Sequence, residues 1–310
     1  MWCLRMRYLL FLLVLFASAC TAQPVPTGRP VVVGTTTMLC DLAQQLGAGT
    51  VEVQCLMPVG ADPHVYQATP SDAATVARSA LVVRNGLGLE GWVDSLLTNA
   101  GGTRPLFTAS DGVDPLLHEG TPDPHFWFDA VAWENAGAGV AAALQQLHGE
   151  QSEASAQVAA ARTRFEQEVR ALHAWTQAQI QTIPESRRVL VTSHDAFAWY
   201  ARAYGLQVHA VQGVSTAQEA SQRDVIAAVE VVRAGQLPMV FGETSVNGGL
   251  IEQVGREAGV PVGGPLYSDS LGEPGSGADT WAGMVVANTC MIVNGLGGTC
   301  TPPVAAEPTP

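Results

Sequence analysis

The chain has 310 residues, 47% of them hydrophobic, and a formal net charge of −13. All 15 basic residues are arginine and they form no cluster; a net-negative chain without a basic stripe lacks the electrostatic footprint of a nucleic-acid binder. The length allows two domains of ordinary size. The acidic balance favours cations near the surface but marks no site, because salt screens it over about 8–10 Å.

Residues 1–19 read as an export signal: Arg5 and Arg7 supply positive charge, Tyr8 to Phe16 is an apolar run too short to span a membrane, and Ala17-Ser18-Ala19 supplies small residues for cleavage. Cleavage after Ala19 leaves Cys20 at the new N-terminus, which resembles a lipoprotein carrying its lipid on Cys20; Ala-Ser-Ala also fits ordinary signal cleavage. Residues 20–29, with Pro24 and Pro26, are expected to act as a flexible tether. Cys3 leaves with the signal, so Cys40, Cys55, Cys290 and Cys300 remain, an even number for an oxidising compartment. Three connectivities are open. The local pairs Cys40–Cys55 and Cys290–Cys300 are the simplest, the first tying an opening helix to the next strand and the second pinning the C-terminus. A thiolate zinc site is disfavoured, because no Cys-x-x-Cys pair is present.

Residues 30–149 alternate strand and helix patterns. Val31 to Thr35 is predicted as a buried strand, Met38 to Leu46 as a helix stopped by Gly47, and Val51 to Met57 as a strand. A helix is expected from Ser71, capped by that serine, then a strand at Ala80 to Val83, a helix at Leu89 to Leu97, a short strand at Pro105 to Thr108, and an alanine-rich helix at Ala130 to Leu147. This alternation predicts an α/β lobe with a largely parallel sheet, in which ligands sit beyond the carboxyl ends of the strands. Residues 150–184 read as one linking helix: Glu150 to Ile183 has neither proline nor glycine, and Val158, Phe165, Val169, Leu172 and Thr176 share a helical face.

Residues 185–300 repeat the rhythm. Strands are predicted at Arg188 to Thr192, Leu206 to Val211, Pro238 to Gly242 and Val260 to Leu266, and helices at Ala196 to Tyr204, Ser221 to Arg233, Leu250 to Ala258 and Asp279 to Val293. The fold class is therefore α/β with two lobes, each a mostly parallel sheet flanked by helices, joined by one long helix. Residues 301–310 are proline-rich and expected to be disordered.

The chemistry concentrates on histidines at corners. His64 follows a proline in GADPHVYQATPSD, His125 repeats the Asp-Pro-His corner in DPHFWFD, and His194 ends the apolar run Val189-Leu190-Val191-Thr192-Ser193. Proline stiffens such a corner, and three histidines at strand ends, far apart in sequence, suit a metal site between two lobes. Phe126 and Trp127 are expected to pack and hold their corner. His148, His173 and His209 are assigned to helix-end, solvated and structural positions.

These segments, together with SHDAFAWYARAYG, GVSTAQEASQRDV, VFGETSVNGGL and YSDSLGEPGSGADTWAGM, occur in the order found in the zinc- and manganese-binding solute receptors of bacterial ABC transporters, the cluster A-I family. The chain resembles that family over nearly its whole mature length. The resemblance implies ligands at His64, His125 and His194, a fourth at Asp269 of Ser268-Asp269-Ser270-Leu271, and a long helix that limits lobe motion. Asp279 competes with Asp269 but reads as a residue at a helix N-terminus, and Glu243 is a weaker oxygen candidate. Manganese receptors of the family tend to carry glutamate at the third position, where this chain has His194. Three imidazoles and one carboxylate suit Zn2+, with Mn2+ as second choice. The histidine-rich loop of many zinc receptors is missing: the segment from Asp111 to Asp123 holds only His118.

The expected function is extracytoplasmic capture of Zn2+, outside a single membrane or in a periplasm, by a monomer that delivers the ion to the transmembrane subunits of an ABC permease. A metallochaperone that loads the site is the further partner to be considered. Two rival classes remain: a zinc-dependent hydrolase, for which Glu243 or Asp195 would have to serve as base although no His-Glu-x-x-His motif is present, and a structural or cell-adhesion protein in which metal only stabilises the fold.

Overall fold

The computed structural model describes residues 28–118 and 120–303, so the expected signal peptide, the lipid site at Cys20, nearly all of the tether and most of the tail lie outside the described residues. The first sheet contains β1 (Val31–Gly34), β2 (Glu52–Cys55), β3 (Leu81–Arg84) and β4 (Leu106–Thr108), all parallel, in the order β2-β1-β3-β4. Helices α1 (Thr37–Gly47), α2 (Pro70–Arg78) and α3 (Val93–Ala100) connect these strands. A short antiparallel hairpin, β5 (Leu117–His118) with β6 (Thr121–Pro122), leads into the second histidine corner and then into α4 (Ala130–His148).

Helix α5 (Glu153–Ile180) has 28 residues and so runs about 42 Å at 1.5 Å per residue. Ser152 caps its N-terminus by accepting the Ser155 N–H. It packs on α1 and α4 of the first lobe and on α9 (Trp281–Gly295) of the second. The face carrying Val158, Phe165, Val169, Leu172 and Thr176 is buried, as its spacing predicts. Gly137 of α4 lies so close to Phe165 that a Cβ there would stand 2.2 Å from the ring, which is why a glycine sits inside that helix.

The second sheet holds β7 (Val189–His194), β8 (Gln207–Gln212), β9 (Val240–Glu243) and β10 (Val262–Leu266), in the order β10-β9-β7-β8 and again all parallel. Counted from its first strand, this is the same strand order as in the first lobe. Helices α6 (Ala198–Tyr204), α7 (Gln222–Ala234) and α8 (Gly249–Ala258) connect the strands. The outer faces of the sheets bury small separate clusters, around Val191, Val229 and Ile251 in the second lobe and around Val33, Val76 and Leu96 in the first. The main core is continuous between the lobes and includes Phe126, Trp127, Phe128, Trp133, Phe197, Trp199, Tyr200 and Trp281. Disulfides join Cys40 to Cys55 and Cys290 to Cys300. No helix among the described residues is long and apolar enough to cross a membrane.

Some predicted boundaries move for local reasons. The helix expected at Leu89 to Leu97 starts only at Val93, because the Glu90 carboxylate turns back to accept the Asn85 and Gly86 N–H groups and the Thr35 hydroxyl. Helix α2 is capped by Thr69 and not Ser71, with Pro70 in its first turn and Asp72 completing a reciprocal capping box. Thr280, not Asp279, caps α9; the Asp279 carboxylate instead accepts the N–H of Gly275 in the preceding loop.

Candidate metal centre

Every group of the centre leaves the carboxyl end of a strand or the corner that follows one. His64 lies in the segment between β2 and α2, after Pro63, whose carbonyl accepts the Trp92 indole N–H at 3.0 Å. The Asp62 carboxylate accepts the backbone N–H of His64 at 2.9 Å and shapes the turn. His125 is set the same way, with its N–H donating to Asp123 Oδ1 at 2.9 Å. Two side chains clamp that corner from outside: Asn85 donates to the Pro124 carbonyl and Trp199, from the other lobe, to the Asp123 carbonyl, each at 3.0 Å. His194 is the last residue of β7, and Asp269 follows β10.

Ligand atoms from His64, His125, His194 and Asp269 all lie within 4.8 Å of one another. The imidazole centroids are 5.3–5.9 Å apart. His125, His194 and Asp269 are buried, while His64 is half-buried and closes the site toward solvent. Asp269 Oδ1 lies 3.4 Å from His125 Nε2, and Oδ2 lies 3.2 Å from His194 Nε2. Even so, His194 Nε2 and Asp269 Oδ1 have no aligned hydrogen-bond partner. Buried polar atoms are normally paired, so unsatisfied donor atoms converging on one point fit a cation with nitrogen and oxygen ligands.

Two further carboxylates orient the rings. Asp123 Oδ1 is 2.6 Å from His125 Nδ1, and Glu243 Oε2 is 2.5 Å from His194 Nδ1. Each holds a proton on Nδ1 and leaves Nε2 facing the centre. Burial works against charge on both imidazoles, but the flanking carboxylates prevail: Asp123 and Asp269 push His125 up to about 9, and Glu243 and Asp269 push His194 well above the ordinary range. Burial pulls His64 down to about 4. Burial alone would raise Asp269, but His194 and His125 hold it well below the usual carboxylate range. The centre is therefore arranged to hold positive charge.

The remaining candidates lie elsewhere. Glu243 supports His194 and is outside the cluster of ligand atoms, as are Asp195 and Asp279. His118, on the hairpin, reaches across to Asp195 with Nδ1 3.3 Å from Oδ2. His148 contacts the Thr50 hydroxyl at 2.9 Å and His209 is exposed on the edge strand β8. His173, expected in solvent, is half-buried against the Tyr204 hydroxyl at 3.3 Å. Phe126 and Trp127 are fully buried, and Trp127 also donates its indole N–H to the Ser268 carbonyl beside Asp269. Sequence reasoning gave Asp123 no role; the only signal for one was its place two residues before His125.

A profile of the ZnuA family, described as periplasmic component A of a zinc-uptake complex, matches residues 32–295. The chain belongs to that family. Zinc-binding protein TroA of Treponema pallidum (strain Nichols) is 34% identical over 279 residues, 87% of this chain and 89% of TroA. The manganese-binding lipoprotein MntA of Bacillus subtilis (strain 168) is 33% identical over 86% of this chain and 89% of its own length. The solved structure of the periplasmic zinc-binding protein TroA from T. pallidum superposes with a TM-score of 0.82 at 33% identity, covering 87% of this chain and 99% of that one. The two-lobed architecture described above is thus shared with that TroA structure, and the centre lies in its cleft.

Proposed function

We propose that the protein is the extracytoplasmic solute-binding component of a metal ABC transporter, and that it captures Zn2+ on His64, His125, His194 and Asp269 for delivery to the membrane permease. The observation that carries this reading is the convergence of four ligand atoms, two without aligned hydrogen-bond partners, from both lobes of one cleft. Three neutral imidazoles and one carboxylate match the nitrogen-rich, four-ligand preference of zinc, whereas manganese favours more oxygen ligands. The ion is cargo: His64 and His125 bind it from the first lobe, His194 and Asp269 from the second, and Asp123 and Glu243 hold two of the rings with Nε2 inward. The names of the relatives include both zinc and manganese, so the donor set is what favours zinc here.

The chain would be exported, anchored through a lipid on Cys20, and work as a monomer with the transmembrane subunits of the permease. Neither base of the hydrolase alternative is well placed: the Glu243 carboxylate is already engaged by the backbone and ring of His194, and Asp195 lies outside the cluster of ligand atoms, beside His118. Competition between metal-stripped protein and a fluorescent zinc chelator tests the assignment. His64→Ala and His194→Ala should each weaken zinc binding by more than the ~10–100-fold that loss of an outer supporting group brings. Zinc binding by either variant equal to that of the unsubstituted protein would contradict the ligand set.

A further inference from the structure

The floor of the cleft is a poor place for movement. Phe128 of the first lobe stacks on Phe197 of the second at 4.6 Å, and Trp133 stacks on Trp281 at 5.6 Å. The indole N–H groups of Trp127 and Trp199 donate across the seam in opposite directions, to Ser268 and Asp123. Pulling the lobes apart would expose these rings and leave both donors unpaired. The ion therefore has to leave by local movement at the rim, where His64 is the only half-buried member of the cluster and lies in a segment without helix or strand between β2 and α2.

That segment is fastened to the opposite lobe at two points close to His64. The Gly60 N–H donates to Ser270 Oγ at 2.8 Å, and Thr216 Oγ1 donates to Asp62 Oδ2 at 2.5 Å. Asp62 uses its other oxygen for the backbone N–H of His64, so one carboxylate grips both the histidine backbone and the far lobe. Thr216 belongs to the segment between β8 and α7, whose residues Gly213, Val214 and Ser215 line a cavity of about 350 Å³ together with His64. The same segment thus faces His64 across that cavity and, through Thr216 and Asp62, holds its turn.

We infer that Asp62 and Thr216 form a latch across the cleft that positions His64 and sets how fast the bound ion is released. It rests on the capture function proposed above and adds the step that controls unloading. The hydroxyl of Thr216 acts through Asp62 and not on the ion, so both are positioning residues. A partner that displaced the β8–α7 segment would break this bond and free the one ligand that can swing out, leaving the buried three in place.

The test is stopped-flow release of zinc from loaded protein into excess chelator, with Thr216→Val compared to the unsubstituted protein and to Thr216→Ser. Valine keeps the shape and removes the donor, so the release rate should rise by about tenfold, the scale of one lost hydrogen bond to a charged group. Serine should restore slow release and the association rate should stay the same, while metal-free Thr216→Val, which lacks the same hydrogen bond, should unfold at a slightly lower temperature than the parent and Thr216→Ser. Release from Thr216→Val at the parental rate, or failure of Thr216→Ser to restore it, would overturn the latch while leaving zinc capture standing. Absence of zinc binding by the unsubstituted protein would remove the capture function and the latch together.

Discussion

Glu243 Oε2 lies 2.5 Å from His194 Nδ1, while Oε1 of the same carboxylate accepts the His194 backbone N–H at 2.8 Å. One side chain from β9 thus fixes both the backbone and the ring of the last residue of β7. With Nδ1 occupied, only Nε2 can face the cleft. Removing the carboxylate in Glu243→Ala should lower zinc affinity about 10–100-fold, the usual cost of losing an outer supporting group. Chelator competition measures it, and Glu243→Gln, which retains one acceptor, should fall between the two.

Binding should release protons. In the metal-free protein the carboxylates around His125 and His194 outweigh burial and raise both histidines, His125 to about 9, whereas zinc needs both imidazoles neutral at Nε2. Affinity should therefore climb as pH rises from 6 to 9, and calorimetry in buffers of different ionisation heat should detect protons leaving on binding at neutral pH. The sign for the metal-free fold is the reverse. A raised histidine stabilises fully below its ordinary value of 6.5 and loses that contribution as pH rises through about 9. Metal-free protein should lose stability over that window, while the zinc complex, whose imidazoles are neutral like those of the unfolded chain above 6.5, should hold level.

The Cys290–Cys300 bridge ties the segment after α9 back to that helix, and the segment is also strapped to α5: Trp175 donates to the Thr301 carbonyl at 3.0 Å and the Thr301 N–H donates to Gln179 at 2.8 Å. Replacing both cysteines with alanine should cost about 2–3 kcal/mol, the chain-entropy expectation for so short a loop. Denaturant unfolding measures it. Zinc affinity should not change, because this bond fastens the C-terminal segment to the helix and touches no ligand-bearing loop.

The histidine cluster was legible because stiff Asp-Pro-His corners announce themselves in sequence, and because His194 ends an unbroken apolar strand. Asp269 carries no such local signal; it entered through family resemblance, and the structure brings it beside the imidazoles. The supporting carboxylates were not assignable. Glu243 meets His194 only because β9 lies beside β7, a pairing across most of the second lobe. The turn at Glu90 was hidden for the opposite reason: Leu89 to Leu97 has a helical pattern, and a single buried carboxylate that collects nearby N–H groups overrides it. The hairpin at His118 was missed because strands of two residues have no readable period.

The most direct measurement is denaturant unfolding of the metal-stripped mature protein at matched free concentrations of zinc and manganese. A ligand that binds only the folded state adds about 2.7 kcal/mol at a hundredfold excess over its dissociation constant. A large gain with zinc and a small one with manganese is the predicted result. No gain with either ion would contradict metal capture by this centre, and a larger gain with manganese would reassign the cargo.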